Sequence, residues 1–243
     1  MSHRWRVTRS AAILAVSVTL AGCATAADPD PWEPVNRAIF SFNEVTDQMF
    51  LEPAARGYRA ALPQPVRDSI GNVLHNLREP AYAVNAALQG ERDQFGTSVG
   101  RLIINSTLGI GGLFDVASAF GYQKVETRFD KTLQTWGVDQ GPYVVLPFWG
   151  PDTLRGALGR IPDAYMNPIQ YLDGEWPWIT QNIMEGLDFR YRNIETIDDL
   201  RRGSIDMYAT VRSIYLQRLK AGTLADGPDA QYDAIFEEDQ NVE

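Results

Sequence analysis

The residues able to do chemistry are few: the 243-residue chain holds one cysteine, Cys23, and two histidines, His3 and His75. Beyond the first 22 residues, a serine–histidine–carboxylate arrangement would have to use His75, and one imidazole cannot build a histidine-rich metal site. On a helix through residues 66–79, His75 projects about 180° from Val66, opposite an apolar stripe, and is read as facing solvent or a partner. Asp198 with Asp199, and Glu91 with Asp93, lack the spacing of a calcium loop and read as solvated or capping groups. Gly109, Gly111 and Gly112 follow a helical stretch instead of a strand, so they match neither glycine fingerprint of a phosphate cradle. Asp115 stands among apolar residues and reads as an N-cap for residues from Val116 on, with a functional carboxylate as the alternative. No catalytic set emerges, and the chain is not expected to be an enzyme.

Cys23 has a different chemistry. Arg4, Arg6 and Arg9 precede an apolar run, residues 11–20, which is too short to span a bilayer and reads as a secretory signal peptide. It ends in Leu20-Ala21-Gly22-Cys23, a lipobox, at which the thiol takes a diacylglyceryl group and the amine freed by cleavage an acyl chain. One myristoyl chain gives only about 10⁴ M⁻¹ of membrane affinity, whereas several chains anchor permanently. Ala24 follows, where lipoproteins kept in the inner membrane of Gram-negative cells typically carry Asp, so the outer membrane is the expected destination. With Cys23 acylated, no thiol remains for disulfides, metal or nucleophilic catalysis, and no cofactor beyond the covalent lipid is expected. Loss of residues 1–22 removes three arginines, which takes the formal charge from −9 to −12. That sign argues against nucleic acid and against docking on anionic headgroups.

Residues 23–31 read as a lipidated tether, 32–221 as one helical domain, and 222–243, with acidic side chains and no basic one, as a disordered tail. A helix is expected over residues 34–50, ended by Pro53. Another is expected over 66–79, its buried face formed by Val66, Ile70, Val73, Leu74 and Leu77. Pro80 should break or kink it before a helix over 81–88 that stops at Gly90. A further helix, residues 94–106, carries Phe95, Val99, Leu102 and Ile103 on one face, and residues 107–120 form an apolar turn. Residues 143–146 are the only plausible strand, 153–160 give one or two helical turns before Pro162, and longer helices cover 177–194 and 204–220. The fold class is all-α, with few or no strands, and no stretch approaches the ~20 apolar residues of a spanning helix.

Five segments then assemble into a pattern: DPWEPVNRAIFSFN (30–43), NLREPAYAVNAALQG (76–90), RLIINSTLGIGGLFDVAS (101–118), WGVDQGPYVVLPFWGPDTLR (136–155) and SIDMYATVRSIYLQR (204–218). Together with the lipobox they resemble the MlaA, or VacJ, lipoprotein family over nearly the whole mature chain. The sequence departs from the family at residues 129–134, FDKTLQ in place of a Phe-Gly-x-Thr-Leu-Gly type segment, and at Gly156, where an Asp is common. The resemblance implies amphipathic helices arranged as a ring around a central channel, lying in the inner leaflet of the outer membrane beside a porin trimer of the OmpC/OmpF type. It also implies removal of phospholipids misplaced in the outer leaflet and their delivery to the periplasmic carrier MlaC, which maintains lipid asymmetry. The apolar segment 108–120 matches the hairpin that members place beside the channel. In this chain Leu108, Gly109, Gly111, Gly112, Leu113, Phe114 and Asp115 form it, the glycines allowing the bend and Leu113 and Phe114 facing lipid tails. A tight turn packed in a core is the other reading of those glycines. For the protein as a whole, the alternatives are an interaction lipoprotein that organises porins without passing lipid, and a lipid hydrolase, which would need His75.

Overall fold

The computed structural model describes residues 30–221; the lipobox with Cys23 and the acidic tail lie outside them. Helix α1 (Glu33–Thr46) runs through a π-helical turn (Asp47–Leu51) into α2 (Glu52–Ala61). Then come α3 (Gln64–Gln89), α4 (Arg92–Thr107), the short α5 (Val116–Ala119) and α6 (Phe129–Thr135). Strands β1 (Tyr143–Leu146) and β2 (Gly150–Thr153) lead into α7 (Leu154–Met166), a 3₁₀ turn (Pro168–Tyr171), α8 (Trp176–Arg192), α9 (Ile194–Gly203) and α10 (Met207–Ala221). The all-α expectation holds, with a single two-stranded antiparallel hairpin among the described residues. Packing closes on itself: α1 touches the π turn, the π turn α2, α2 packs on α8, α8 on α3, α3 on α7, α7 on β1, and β1 on α1. The elements form a ring.

Several prolines do not act as the sequence suggests. Pro53 does not end a helix, because the π turn absorbs the extra residue and Pro53 falls in the first turn of α2, where its missing N–H costs nothing. Pro80 does not divide α3, and Pro162 lies inside α7. An interior proline costs about 3 kcal/mol. In α3 the buried run Ala81, Tyr82, Ala83, Asn85 and Ala86 just beyond Pro80 offsets it. Gly90, at φ 80°, ends α3 as expected.

Strand β2 and helix α9 carry little sequence signal. Residues 150–153, Gly-Pro-Asp-Thr, are held by pairing Leu146 with Gly150 and Tyr143 with Thr153. The outer side of β1 is taken by α1 through two asparagines one heptad apart. Asn36 donates to the Tyr143 carbonyl at 3.1 Å and accepts from the Val145 amide at 2.9 Å, while Asn43 donates to the Leu146 carbonyl at 2.9 Å. That arrangement blunts the free edge. Behind it sits an aromatic core of Tyr143, Val145, Tyr208 and Tyr215, with Phe40 packed against it.

The larger correction concerns what faces inward. The stripe of α3 named as buried is not: Val66 is exposed, Ile70, Val73, Leu74 and Leu77 are half-exposed, and Val84 and Leu88, on the same stripe at ~100° per residue, are exposed too. The buried residues of α3 include Asn76, Glu79 and Asn85. Helix α4 repeats this, with Phe95 and Ile103 exposed while Ser98, Arg101 and Asn105 are buried. In α8 the buried residues include Gln181, Glu185 and Asp188, and Ile183 is exposed. In α7, Leu158, Ile161 and Tyr165 point outward while Arg155 is buried. The helices are amphipathic, as their periodicity predicts, but their polar sides face the interior.

Candidate functional site

The predicted hairpin, residues 108–120, hangs between α4 and α6 and is moored by buried polar side chains. Arg101, 1% exposed, donates from Nε to Glu79 Oε1 at 2.6 Å, and Glu79 is fully buried. Its Nη1 donates to Ser118 Oγ at 3.1 Å and to the Tyr122 carbonyl at 2.7 Å, and its Nη2 lies 3.1 Å from Asp115 Oδ1. One guanidinium thus ties α3 to both ends of α5. A buried charge is tolerable only when paired and bonded in this way. Asn105 adds a second clamp, donating to Asp115 Oδ1 at 3.1 Å and accepting from the Ala117 amide at 2.9 Å.

Asp115 takes its expected place as N-cap of α5, accepting from the Ser118 amide at 3.4 Å and the Ser118 hydroxyl at 2.7 Å. Burial pushes its carboxyl up, but bonds from Ser118, Asn105 and Arg101 outweigh that and bring it down to about 2, so it stays ionised. The functional-carboxylate alternative gains a structural content: Asp115 is both a cap and the hairpin's charge contact with Arg101.

The glycines divide by role. Gly109 and Gly112 are buried, Gly111 exposed. A Cβ on Gly109 would collide with the carbonyl oxygens of Phe114 and Asn105, and one on Gly112 would fall 2.7 Å from Asn76 Cβ. Gly111 needs its φ of 69° and has open space around it. Between them Ile110 holds φ 54°, which costs a β-branched residue about 1–2 kcal/mol. With the backbone pressed against α3 and α4, the apolar side chains point away: Leu108, Ile110, Leu113, Phe114 and Phe120 are all exposed, Leu108 by 62%. Exposed apolar side chains grouped in this way are the general mark of an interaction site.

His75 is not where the sequence puts it. The geometry is right, since it lies opposite the apolar stripe, but that side is the interior, and its side chain is 9% exposed between Glu79 and Glu126. Asp198 contacts Arg56, Arg190 and Arg201 near the π turn, in an ion-pair cluster that also includes Asp47 and Glu52. The two departures from the family pattern meet: Asp130 accepts from Arg155 Nε at 2.6 Å, and Gly156 leaves room for Asp152, whose carboxylate a Cβ there would strike. Sequence reading missed Asn76, Glu79, Arg101, Asn105 and Ser118. Their signal is polar recurrence at helical spacing, Ser98–Arg101–Asn105 on α4 and Asn76–Glu79 on α3. Among the described residues no helix is long and apolar enough to cross a membrane, and no three or more His, Cys, Asp or Glu side chains are grouped to hold a metal ion.

A ring of helices with charge inside and hydrocarbon outside defines a class of membrane-associated protein. The model of the MlaA lipoprotein family matches residues 28–221, and the chain belongs to that family. It is 37% identical over 220 residues to the intermembrane phospholipid transport system lipoprotein MlaA of Escherichia coli strain K12, covering 86% of each chain. With the lipoprotein of the same name from Haemophilus influenzae it shares 32% identity over 238 residues, 91% of this chain and 94% of the relative. Among solved structures it matches a chain described in work on the structural basis for maintenance of bacterial outer membrane lipid asymmetry. That match has a TM-score of 0.70 and 38% identity over 78% of this chain and 96% of the other.

Proposed function

We propose that this protein is the outer-membrane component of a phospholipid transport system. Held by acyl chains on Cys23, it takes phospholipids misplaced in the outer leaflet and passes them to a soluble periplasmic carrier of the MlaC kind, maintaining lipid asymmetry. The observation that carries the reading is the inverted burial. Apolar side chains of α3, α4, α7 and α8 are exposed, and among the described residues no helix is long and apolar enough to cross a membrane, which suits a ring seated within one leaflet. Helices satisfy their own backbone groups and so tolerate acyl surroundings. The polar interior suits a headgroup. Moving a whole phospholipid through water would expose two chains at about 0.8 kcal/mol per CH₂, on the order of 20 kcal/mol, and a greasy-walled route removes most of that without breaking a bond.

In this reading Leu108, Leu113 and Phe114 contact tails. Gly109, Gly111 and Gly112 set the bend, and Asp115 moors it to Arg101. No catalytic group or cofactor beyond the covalent lipid takes part. A porin trimer beside the ring supplies the lateral support the family resemblance implies. The test is deletion of the gene with outer-leaflet phospholipid measured by surface labelling. Surface phospholipid should rise and detergent resistance fall, both restored by the wild-type chain; unchanged values would overturn the proposal.

A further inference from the structure

His75 has no part in that transport reading, yet it is nine-tenths buried at a junction. Its Nε2 lies 3.2 Å from Glu79 Oε1, out of line for a hydrogen bond, and its Nδ1 lies 3.5 Å from Glu126 Oε1. Its ring rests against Tyr82 with centroids 5.4 Å apart. Glu126 belongs to residues 122–128, a strap without helix or strand that connects the hairpin segment to α6. The strap is tied at one end by Arg101, which bonds the Tyr122 carbonyl, and by the Tyr122 ring, close enough to α4 that a Cβ on Gly100 would lie 2.7 Å from it. At the other end Thr127 bonds Gln89. Between these ties Glu126 faces His75, and Lys124 Nζ donates to Asn72 Oδ1 of α3 at 3.4 Å. Glu79, on the other side of His75, is the carboxylate that Arg101 shares with the hairpin mooring.

We propose that His75 is a proton-operated latch: charged, it bridges Glu79 of α3 and Glu126 of the strap; neutral, it frees the strap and loosens the mooring of residues 108–120. The charged groups around it come from three elements. Helix α3 gives Glu79 and Arg78, the latter committed to Glu185 of α8; the strap gives Glu126 and Lys124; α4 gives Arg101. Burial pulls the imidazole down, but its contacts with Glu126 and Glu79 outweigh this and hold it above its usual 6.5. Burial pushes the Glu126 carboxyl up, but His75, Arg78 and Lys124 bring it below 4.5.

The signs follow from linkage. A raised histidine contributes stability that is complete below 6.5 and lost as pH rises through its folded value. A depressed carboxyl contributes stability that is complete above 4.5 and lost as pH falls through its folded value. The latch is therefore complete between about pH 4.5 and pH 6.5 and opens on the alkaline side.

The test is proton NMR of the histidine ring and amide hydrogen exchange over residues 108–128, on the lipid-reconstituted protein from about pH 5 to about pH 9. The His75 signal, identified by its loss in His75→Gln, should titrate with a midpoint above 6.5, and Glu126→Gln should lower that midpoint. Exchange corrected for its intrinsic pH dependence should rise severalfold across the titration, and His75→Gln should flatten it. A midpoint at or below 6.5, an unchanged midpoint in Glu126→Gln, or the same pH-dependent rise in His75→Gln would overturn the latch. Lipid transport is not read in these measurements, so their failure leaves the transport proposal standing.

Discussion

The end of the ring built from α1, the β-hairpin and α10 is stabilised differently from the wall built from α3 and α4. At the end, Tyr143 meets Tyr215 with ring centroids 5.6 Å apart and Tyr208 at 6.4 Å, and Phe40 stands edge-on to Tyr208 at 5.6 Å. Removal of aromatic surface from water drives that packing, and it works in any solvent that is mostly water. In the wall Glu79, Ser98, Arg101 and Asn105 are buried beside Tyr82 and the alanines of α3, while Val66, Val84, Leu88, Phe95 and Ile103 are exposed. Buried polar networks of this kind specify geometry more than they add stability. The end is packed by burial of aromatic surface, whereas the wall leaves apolar side chains exposed.

Substitutions in the two regions sharpen that contrast. Arg101→Ala leaves Glu79 buried with only His75 beside it and should cost about 3–5 kcal/mol in denaturant unfolding. Tyr215→Ala should cost a similar ~3–5 kcal/mol through a cavity. Repair separates the two: joint replacement of Glu79 and Arg101 by Met should recover most of the loss, because the uncompensated charge is gone, while no second truncation rescues the Tyr215 cavity. If the double variant is no better than Arg101→Ala, the wall is held by more than charge pairing. Gly109→Ala should follow at about 1–3 kcal/mol from overpacking against two carbonyls, ahead of Gly111→Ala at about 1 kcal/mol, a conformational cost alone. Smallest in stability are Leu113→Lys and Phe114→Lys, expected within ~0.5 kcal/mol because both side chains are already exposed. These two should abolish lipid transfer with porin association intact; retained transfer would favour the scaffold alternative.

Periodicity located the wall helices but could not give the sign of their burial. The stripe through Val66, Val73 and Leu77 and the position of His75 opposite it are both geometrically right. Inside and outside were exchanged because the usual rule assumes water around the molecule. Local signals with a mechanism of their own survived: Gly90 at φ 80°, Asp115 as cap, and β1. Strand β2 was illegible because three of its four residues, Gly150, Pro151 and Asp152, are of types depleted in strands, and it is defined by its partner. Helix α9 was missed because Asp198, Asp199, Arg201 and Arg202 look like a solvated loop until Glu44, Asp47 and Glu52 are brought against Arg201. The hairpin's apolar, glycine-rich character was readable, but its attachment was not, since Arg101 and Glu79 are 22 positions apart.

Asp30 is the first of the described residues. It is buried, and it accepts from the Tyr208 hydroxyl, from Arg212 at 2.8 Å and from Asn36 at 2.7 Å. Only seven peptide links separate it from Cys23. However that leash runs, its contour is at most about 25 Å, less than the ~30 Å thickness of a bilayer's hydrocarbon core. A diacylglyceryl group on Cys23 would therefore confine the Tyr208–Arg212 side of the ring to the neighbourhood of the leaflet that holds it, which limits both tilt and distance.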